Sequence, residues 1–211
     1  MKNKIVMSLA CLLTMAGYSL AANSFTLSDG IGTLNAGTYF AGQSFTLGVT
    51  VNVTNPPNPD ILGLSYWFQT SAANNTYFKI TNKDMTGSAF PDPNGALTAG
   101  GEFIIAGGNT TDLGATFNNG GQQPSNASYF VNTLTIQVAA GTPNGTYTIF
   151  TTDATAGAKS SVANDSAFTT HTIPFATYTI TVVPEPATWS LLGLGGMGSV
   201  GLTWLRARRR S

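Results

Sequence analysis

The sequence predicts an all-β protein, a two-sheet antiparallel β-sandwich of jelly-roll or immunoglobulin-like type, with an address segment at each end. Three observations carry this. Phe45, Leu47, Val49, Val51 and Val53 alternate strictly with Thr46, Gly48, Thr50 and Asn52, the period of a half-buried strand. The central region shows no comparable helical period. Turn formers recur between apolar runs, as in Asn55-Pro56-Pro57-Asn58-Pro59-Asp60, Pro91-Asp92-Pro93-Asn94-Gly95, Asn118-Asn119-Gly120-Gly121 and Pro143-Asn144-Gly145. Proline removes a ladder donor and Gly or Asn accepts positive φ, so such runs end strands.

In chain order, residues 1–21 read as a signal peptide. Lys2 and Lys4 form a basic start, Ile5 to Gly17 an apolar run, and Ser19-Leu20-Ala21 a small-residue cleavage site. The apolar run is shorter than the ~20 residues that span a bilayer. Cys11 lies inside it and leaves with it. Ser8 stands where a lipobox would need Leu, so neither lipid anchoring nor disulfides are expected.

Residues 22–182 read as the sandwich ectodomain. Beyond Phe45–Val53, shorter strand signals cover Ile61 to Phe68, Tyr77 to Ile80, Phe103 to Ala106, Tyr129 to Val138, Tyr147 to Thr151 and Tyr178 to Val182. Antiparallel strands joined by tight turns suit two packed sheets.

Residues 183–211 read as a tail in three parts. Val183-Pro184-Glu185-Pro186 cannot continue a strand or a helix, so it is an extended, exposed peptide. Residues 187–205 hold no charge, and as a helix at ~1.5 Å per residue they approach the ~30 Å hydrocarbon thickness. In the basic cluster 206–211, Arg206, Arg208, Arg209 and Arg210 act as a stop-transfer signal. The positive-inside tendency keeps them cytoplasmic and leaves the body outside. Gly193, Gly195, Gly196, Gly198 and Gly201 either allow close helix packing or reflect a disposable segment.

This tail resembles the PEP-CTERM sorting family, with its Pro-Glu-Pro signature, Gly- and Leu-rich membrane segment and terminal arginines. The resemblance implies Pro184, Glu185 and Pro186 as recognition residues for an exosortase, an integral-membrane, cysteine-protease-like enzyme of Gram-negative bacteria that make exopolysaccharide. It also implies removal of the tail near those residues, with transient inner-membrane anchoring before delivery to the cell surface or extracellular matrix. Signal peptidase and the general secretion machinery are the other partners expected. Physics alone leaves a permanent anchor open.

The body also resembles cohesin-type and related carbohydrate-binding jelly rolls. The shared order is Gly42 to Phe45, the alternating strand, Gly63 to Phe68, then Leu134 to Gly145 before Tyr147. No binding residue carries over.

Charged residues make up 9% of the chain, against ~25% in an average soluble domain. Within the body, Lys79, Lys83 and Lys159 face Asp29, Asp60, Asp84, Asp92, Glu102, Asp112, Asp153 and Asp165, a net of −5. An Arg-free acidic body repels phosphate backbones and argues against nucleic-acid binding.

Chemistry has few candidates. His171 is the only histidine and no Gly-x-Ser-x-Gly precedes it, so a hydrolytic triad is not expected. One histidine without a mature cysteine makes zinc improbable, and no metal or cofactor is expected. Asp60, Asp84, Asp92 and Asp112 are dispersed and read as solvated loop acids, not as a calcium loop.

Glu102, beside Phe103-Ile104-Ile105, is the carboxylate whose pKa would be perturbed if the protein were a glycan hydrolase; otherwise it is a strand-end glutamate facing water. Trp67 and Tyr66 are candidate ligand contacts, because alternation puts Trp67 on one face and Tyr66 with Phe68 on the other. The competing reading for this cluster is core packing. The resulting expectation is a non-enzymatic surface or matrix protein acting by adhesion or exopolysaccharide contact. A carboxylate-dependent hydrolase and a purely structural matrix protein are the alternatives.

Overall fold

The computed structural model describes residues 23–29, 35–55, 58–152 and 159–185. The strands are β1 (Ser24–Ser28), β2 (Ala36–Phe40), β3 (Ser44–Val53), β4 (Asp60–Ile61), β5 (Gly63–Ser65), β6 (Phe68–Gln69), β7 (Phe78–Asp84) and β8 (Asp92–Pro93). They continue with β9 (Glu102–Phe103), β10 (Ala115–Thr116), β11 (Gln123–Pro124), β12 (Ala127–Val138), β13 (Gly145–Thr151), β14 (Val162–Asn164), β15 (Thr170–Thr172) and β16 (Thr177–Val183). A 3₁₀ turn, Ala72–Asn74, lies between β6 and β7.

One layer is a five-stranded sheet in the order β1-β3-β12-β7-β9. The other combines β2-β16-β13-β6 with β15-β14-β5-β10-β8, and β11-β4 forms a small separate ladder. β3 behaves as its alternation requires: Phe45, Leu47, Val49, Val51 and Val53 are all buried. They meet the facing layer through aromatic rings. Phe45 stacks on Tyr39 of β2 at 4.0 Å, Phe25 of β1 packs on Tyr66 at 5.3 Å, and Phe78 of β7 meets Tyr147 of β13 at 5.5 Å. The two-sheet sandwich is therefore the fold found.

Three features depart from the sequence reading. First, β2 runs parallel to β16, with Thr179 opposite Ala36 and Val183 opposite Phe40. This parallel pair arises because the chain changes sheet between β1 and β2 and returns beside β16. Second, the expected strand 61–68 is divided into β4, β5 and β6. Around Tyr66 and Phe68 side chains replace the ladder: the Asp112 carboxylate accepts from Tyr66 N (3.2 Å) and the Asn109 amide oxygen accepts from Phe68 N (2.8 Å). Third, β1, β2, β8, β10, β11, β14 and β15 form where no strand was expected, and the expected strand 103–106 is found only as β9. β14 and β15 have three residues each and too little alternation to read.

A bulge in β12 fixes how the layers join. The register against β3 shifts between Phe130 and Asn132, and consecutive residues Val131 and Asn132 are both buried. A bulge places an extra residue on one strand and re-aims its side chain. Here it turns the Asn132 amide into the core, where Tyr66 Oη donates to Oδ1 (2.6 Å) and Nδ2 donates to the Leu113 carbonyl (2.7 Å). Burial pushes the Tyr66 phenol far above its ordinary pKa, although the bond to Asn132 opposes this, so it remains a neutral donor.

Asn132→Leu leaves the Tyr66 hydroxyl and the Leu113 carbonyl buried without partners. The expected loss is about 2–4 kcal/mol, measured as a lower urea midpoint at unchanged m-value. Tyr66→Phe, which orphans one acceptor, should cost about half as much.

Candidate polar binding face

The sheet β15-β14-β5-β10-β8 presents two kinds of row. Across it, His171, Ala163, Leu64, Ala115 and Pro93 stand in register, and Ala163, Leu64 and Ala115 are fully buried against the core. Side chains alternate across a strand, so the next row faces outward: Thr170, Asn164, Gly63, Thr116 and Asp92. It is neutral and polar up to Asp92.

Gly63 sits mid-row because nothing larger fits: a Cβ there would lie 2.4 Å from Thr116 Oγ1. The Thr116 hydroxyl lies close by and donates to the Leu62 carbonyl at 3.3 Å. The resulting groove, about 450 Å³, is lined by Ser65, Asn94, Asp112, Thr116, Asn118 and Asn164.

Its wall is held by hydrogen bonds. Asn94 Nδ2 donates to the Leu64 carbonyl (2.7 Å) and to Asp112 Oδ2 (3.1 Å), and Asp112 Oδ1 accepts from Gly114 N (2.8 Å). Gly114 lets the strands touch, since a Cβ would fall 1.9 Å from the Leu64 carbonyl oxygen. Beneath the wall, Lys83 Nζ donates to the carbonyls of Gly95, Asp112 and Gly114 at 3.0–3.4 Å. Burial pushes its pKa down to about 8, with Asp112 opposing the shift.

The sequence candidates fall as follows. Tyr66 is fully buried against Phe25 and Asn132, which corrects its reading as a ligand contact. Trp67 lies on the opposite alternation with Gly63 and Ser65 and is half-buried, but it stands beside Gly108 and Thr152 and does not line the groove. Glu102 does not face water. It is 7% exposed and accepts from Thr111 N (2.8 Å), the Thr111 hydroxyl, Thr98 N (3.3 Å) and Asn109 Nδ2 (3.5 Å). Burial alone would raise its pKa, but the bonds from Thr111, Thr98 and Asn109 outweigh burial and hold it below the ordinary glutamate value. That is the wrong direction for a general acid.

The loop acids are not simply solvated. Asp60 holds Ser166, Asp84 holds Thr86 N, Asp92 holds Asn118 N, and Asp112 holds Tyr66 N and Gly114 N. His171 Nε2 lies 3.0 Å from Asp165 Oδ2, which ties the β14–β15 hairpin. Among the described residues, no three metal-ligating side chains converge.

The tail leaves the sheet at once. β16 ends at Val183, and Glu185 is exposed two residues later. Pro186, Arg206, Arg208, Arg209 and Arg210 lie outside the described residues, as do residues 1–21 and the apolar run 187–205. Among the described residues, no helix is long and apolar enough to cross a membrane. Nothing in the sequence pointed to Asn94, Thr116 or Asn164 as neighbours: Thr116 and Asn164 stand in strands too short to show a period, and Asn94 lies in the turn after β8.

Fold and tail define a class: a β-sandwich module carrying a sorting signal. Residues 182–210 match the PEP-CTERM protein-sorting motif. The motif indicates export, a C-terminal transmembrane segment and exosortase processing. Comparison with curated protein sequences gives no significant match.

Among solved structures, the fold is similar to the cohesin module of a family 33 glycoside hydrolase from Clostridium perfringens. The TM-score is 0.50 at 10% identity, covering 78% of this chain and 98% of that one. A chain of the CaDoc0917–CaCohA2 complex gives a TM-score of 0.51 at 10% identity, covering 77% and 100%. The cohesin-type jelly roll expected from the sequence is thus found, as a likeness of fold.

Glu102→Gln turns an amide donor toward the Thr111 N–H and should cost about 1–3 kcal/mol at neutral pH. Because the folded pKa of Glu102 is depressed, its contribution is present above the unfolded value of about 4.3 and lost as pH falls through the folded one. Acid titration of stability should therefore be shallower in Glu102→Gln than in wild type below about pH 4.

Proposed function

We propose that this is an exosortase-sorted surface or extracellular-matrix protein that acts without catalysis, holding exopolysaccharide on the outward face of β15-β14-β5-β10-β8. The observation that carries this reading is the row Thr170, Asn164, Gly63, Thr116 and Asp92, with a groove of amides and hydroxyls above a glycine. Such groups pair with sugar hydroxyls as donors and acceptors alike. Strands and hydrogen-bonded loops hold them in place, so little ordering entropy is lost on binding.

Glu102 gives no support to hydrolysis, because its oxygens are occupied by Thr98, Asn109 and Thr111 and its pKa is depressed. Sorting and binding divide the chain. Pro184, Glu185 and Pro186 serve the exosortase, Arg206, Arg208, Arg209 and Arg210 stop transfer in the inner membrane, and the sandwich acts at its destination.

Two measurements test the two halves. Intact mass of the protein from its host should end near Pro186 when the exosortase is present and at Ser211 when it is deleted. A tail ending at Ser211 in both strains would make it a permanent anchor. For the face, Asn164→Ala and Thr116→Val should each weaken retention by the host's exopolysaccharide in affinity electrophoresis by about 5–10-fold, with stability within about 1 kcal/mol of wild type. Unchanged retention in both variants would place the binding elsewhere.

A further inference from the structure

We infer that Phe168, at the tip of the β14–β15 hairpin, is an aromatic contact for a neutral polysaccharide lying in the adjoining groove; this rests on the polysaccharide-binding reading of that face.

Among the described residues, three non-glycine residues have positive φ: Asn35, Asn126 and Phe168. Asparagine tolerates this region, whereas a bulky side chain there is strained. Phe168 has φ 60° and is 79% exposed. Neither folding force explains it: its backbone would prefer Gly or Asn, and its ring is left in water.

The geometry is built, not loose. Asp165 N donates to the Thr169 carbonyl (3.1 Å) and Phe168 N to the Asp165 carbonyl (2.9 Å). This resembles the hairpin in which a turn is followed by one left-handed residue, a position that Gly normally fills. Asp165 Oδ1 also accepts from Ala167 N (2.9 Å) and Thr169 N (2.8 Å), while Oδ2 meets His171 Nε2 (3.0 Å). Ser166 is tied through its N and Oγ to Asp60 at 2.7 and 2.6 Å. Every residue of the turn except Phe168 is fastened by a side-chain bond or a strand.

Strain kept at an exposed, fixed position points to use. The two residues flanking the turn, Asn164 and Thr170, are those that begin the outward polar row, and the Thr170 hydroxyl donates to Asn164 Oδ1 at 3.0 Å. The aromatic tip is therefore carried by the hairpin whose Asn164 lines one edge of the groove. A sugar ring offers an apolar face to an aromatic and hydroxyls to the amides beside it. Asp60, Asp92, Asp112 and Asp165 edge the hairpin and groove. They repel a polyuronate, which leaves a neutral polymer.

The test compares wild type, Phe168→Asn and Phe168→Tyr, each as the exported protein purified from its host. The probes are laminarin, dextran and galactomannan as neutral polymers and alginate as the anionic one, in affinity electrophoresis. Wild type should be retarded by at least one neutral polymer and not by alginate. Phe168→Asn should lose about tenfold in affinity while its Tm holds or rises by about 2–4 °C; Phe168→Tyr should bind as wild type.

A lower Tm in Phe168→Asn would make the ring structural, and equal binding by Phe168→Asn would remove its contact role; either overturns the inference and leaves the groove reading standing. Stronger retardation by alginate overturns the neutral class. Wild type retarded by none of the polymers removes the groove reading and this inference together.

Discussion

The buried amide of Asn132 is the constraint on which the rest of the sandwich depends. A strand buried on one face can slip by one residue only by turning its whole apolar set outward. In β12 the bulge at Val131 makes such an inversion locally and keeps it, so that Asn132 reaches across the core to Tyr66 and Leu113. Those two residues belong to the segments that build the groove wall. With Tyr66 fixed inward, Ser65 and Trp67 must face out. The orientation of the outward face is thus set by a hydrogen bond in the interior.

The low charge of the body has a structural counterpart. Its polar side chains serve largely as substitutes for backbone partners. Asn109 and Asp112 complete the pairing that β5 and β6 leave open, Glu102 closes the 98–111 segment, and Lys83 and Lys159 donate to loop carbonyls. An unpaired buried polar group costs more than a formed bond gains. A sandwich with two- and three-residue strands needs such groups; Asn94, Asn109 and Asn132 supply some without the desolvation cost of a charge, and the body's few charged side chains supply others.

Legibility in the sequence followed element length. β3 spans ten residues, five of them pointing inward, and could be read directly; so could the second half of β12 and the Pro-Glu-Pro tail. β14 and β15 could not, because three residues cannot display a period, and they carry two of the five positions of the outward row. Alternation gave Trp67 and Tyr66 opposite faces but could not say which was inside; the Asn132 contact decides that. Glu102 read as a strand end facing water because its four donors come from residues 98, 109 and 111, and a side chain's partners leave no periodic trace. Phe168 was invisible for a different reason, since positive φ at a phenylalanine is what composition argues against.

The side-by-side course of β2 and β16 has a mechanical consequence. The chain leaves the fold from the end of β16, and β16 lies inside its sheet, between β2 and β13. A pull on the C-terminal end acts along the strand, so both neighbouring ladders are loaded in shear and their bonds must yield together. An edge strand peeled from one end would yield bond by bond. Lifetime under load is set by the unfolding rate. A pull from the C-terminal end thus meets two full ladders before anything else, and β15, at the edge of another sheet, lies off that line of force.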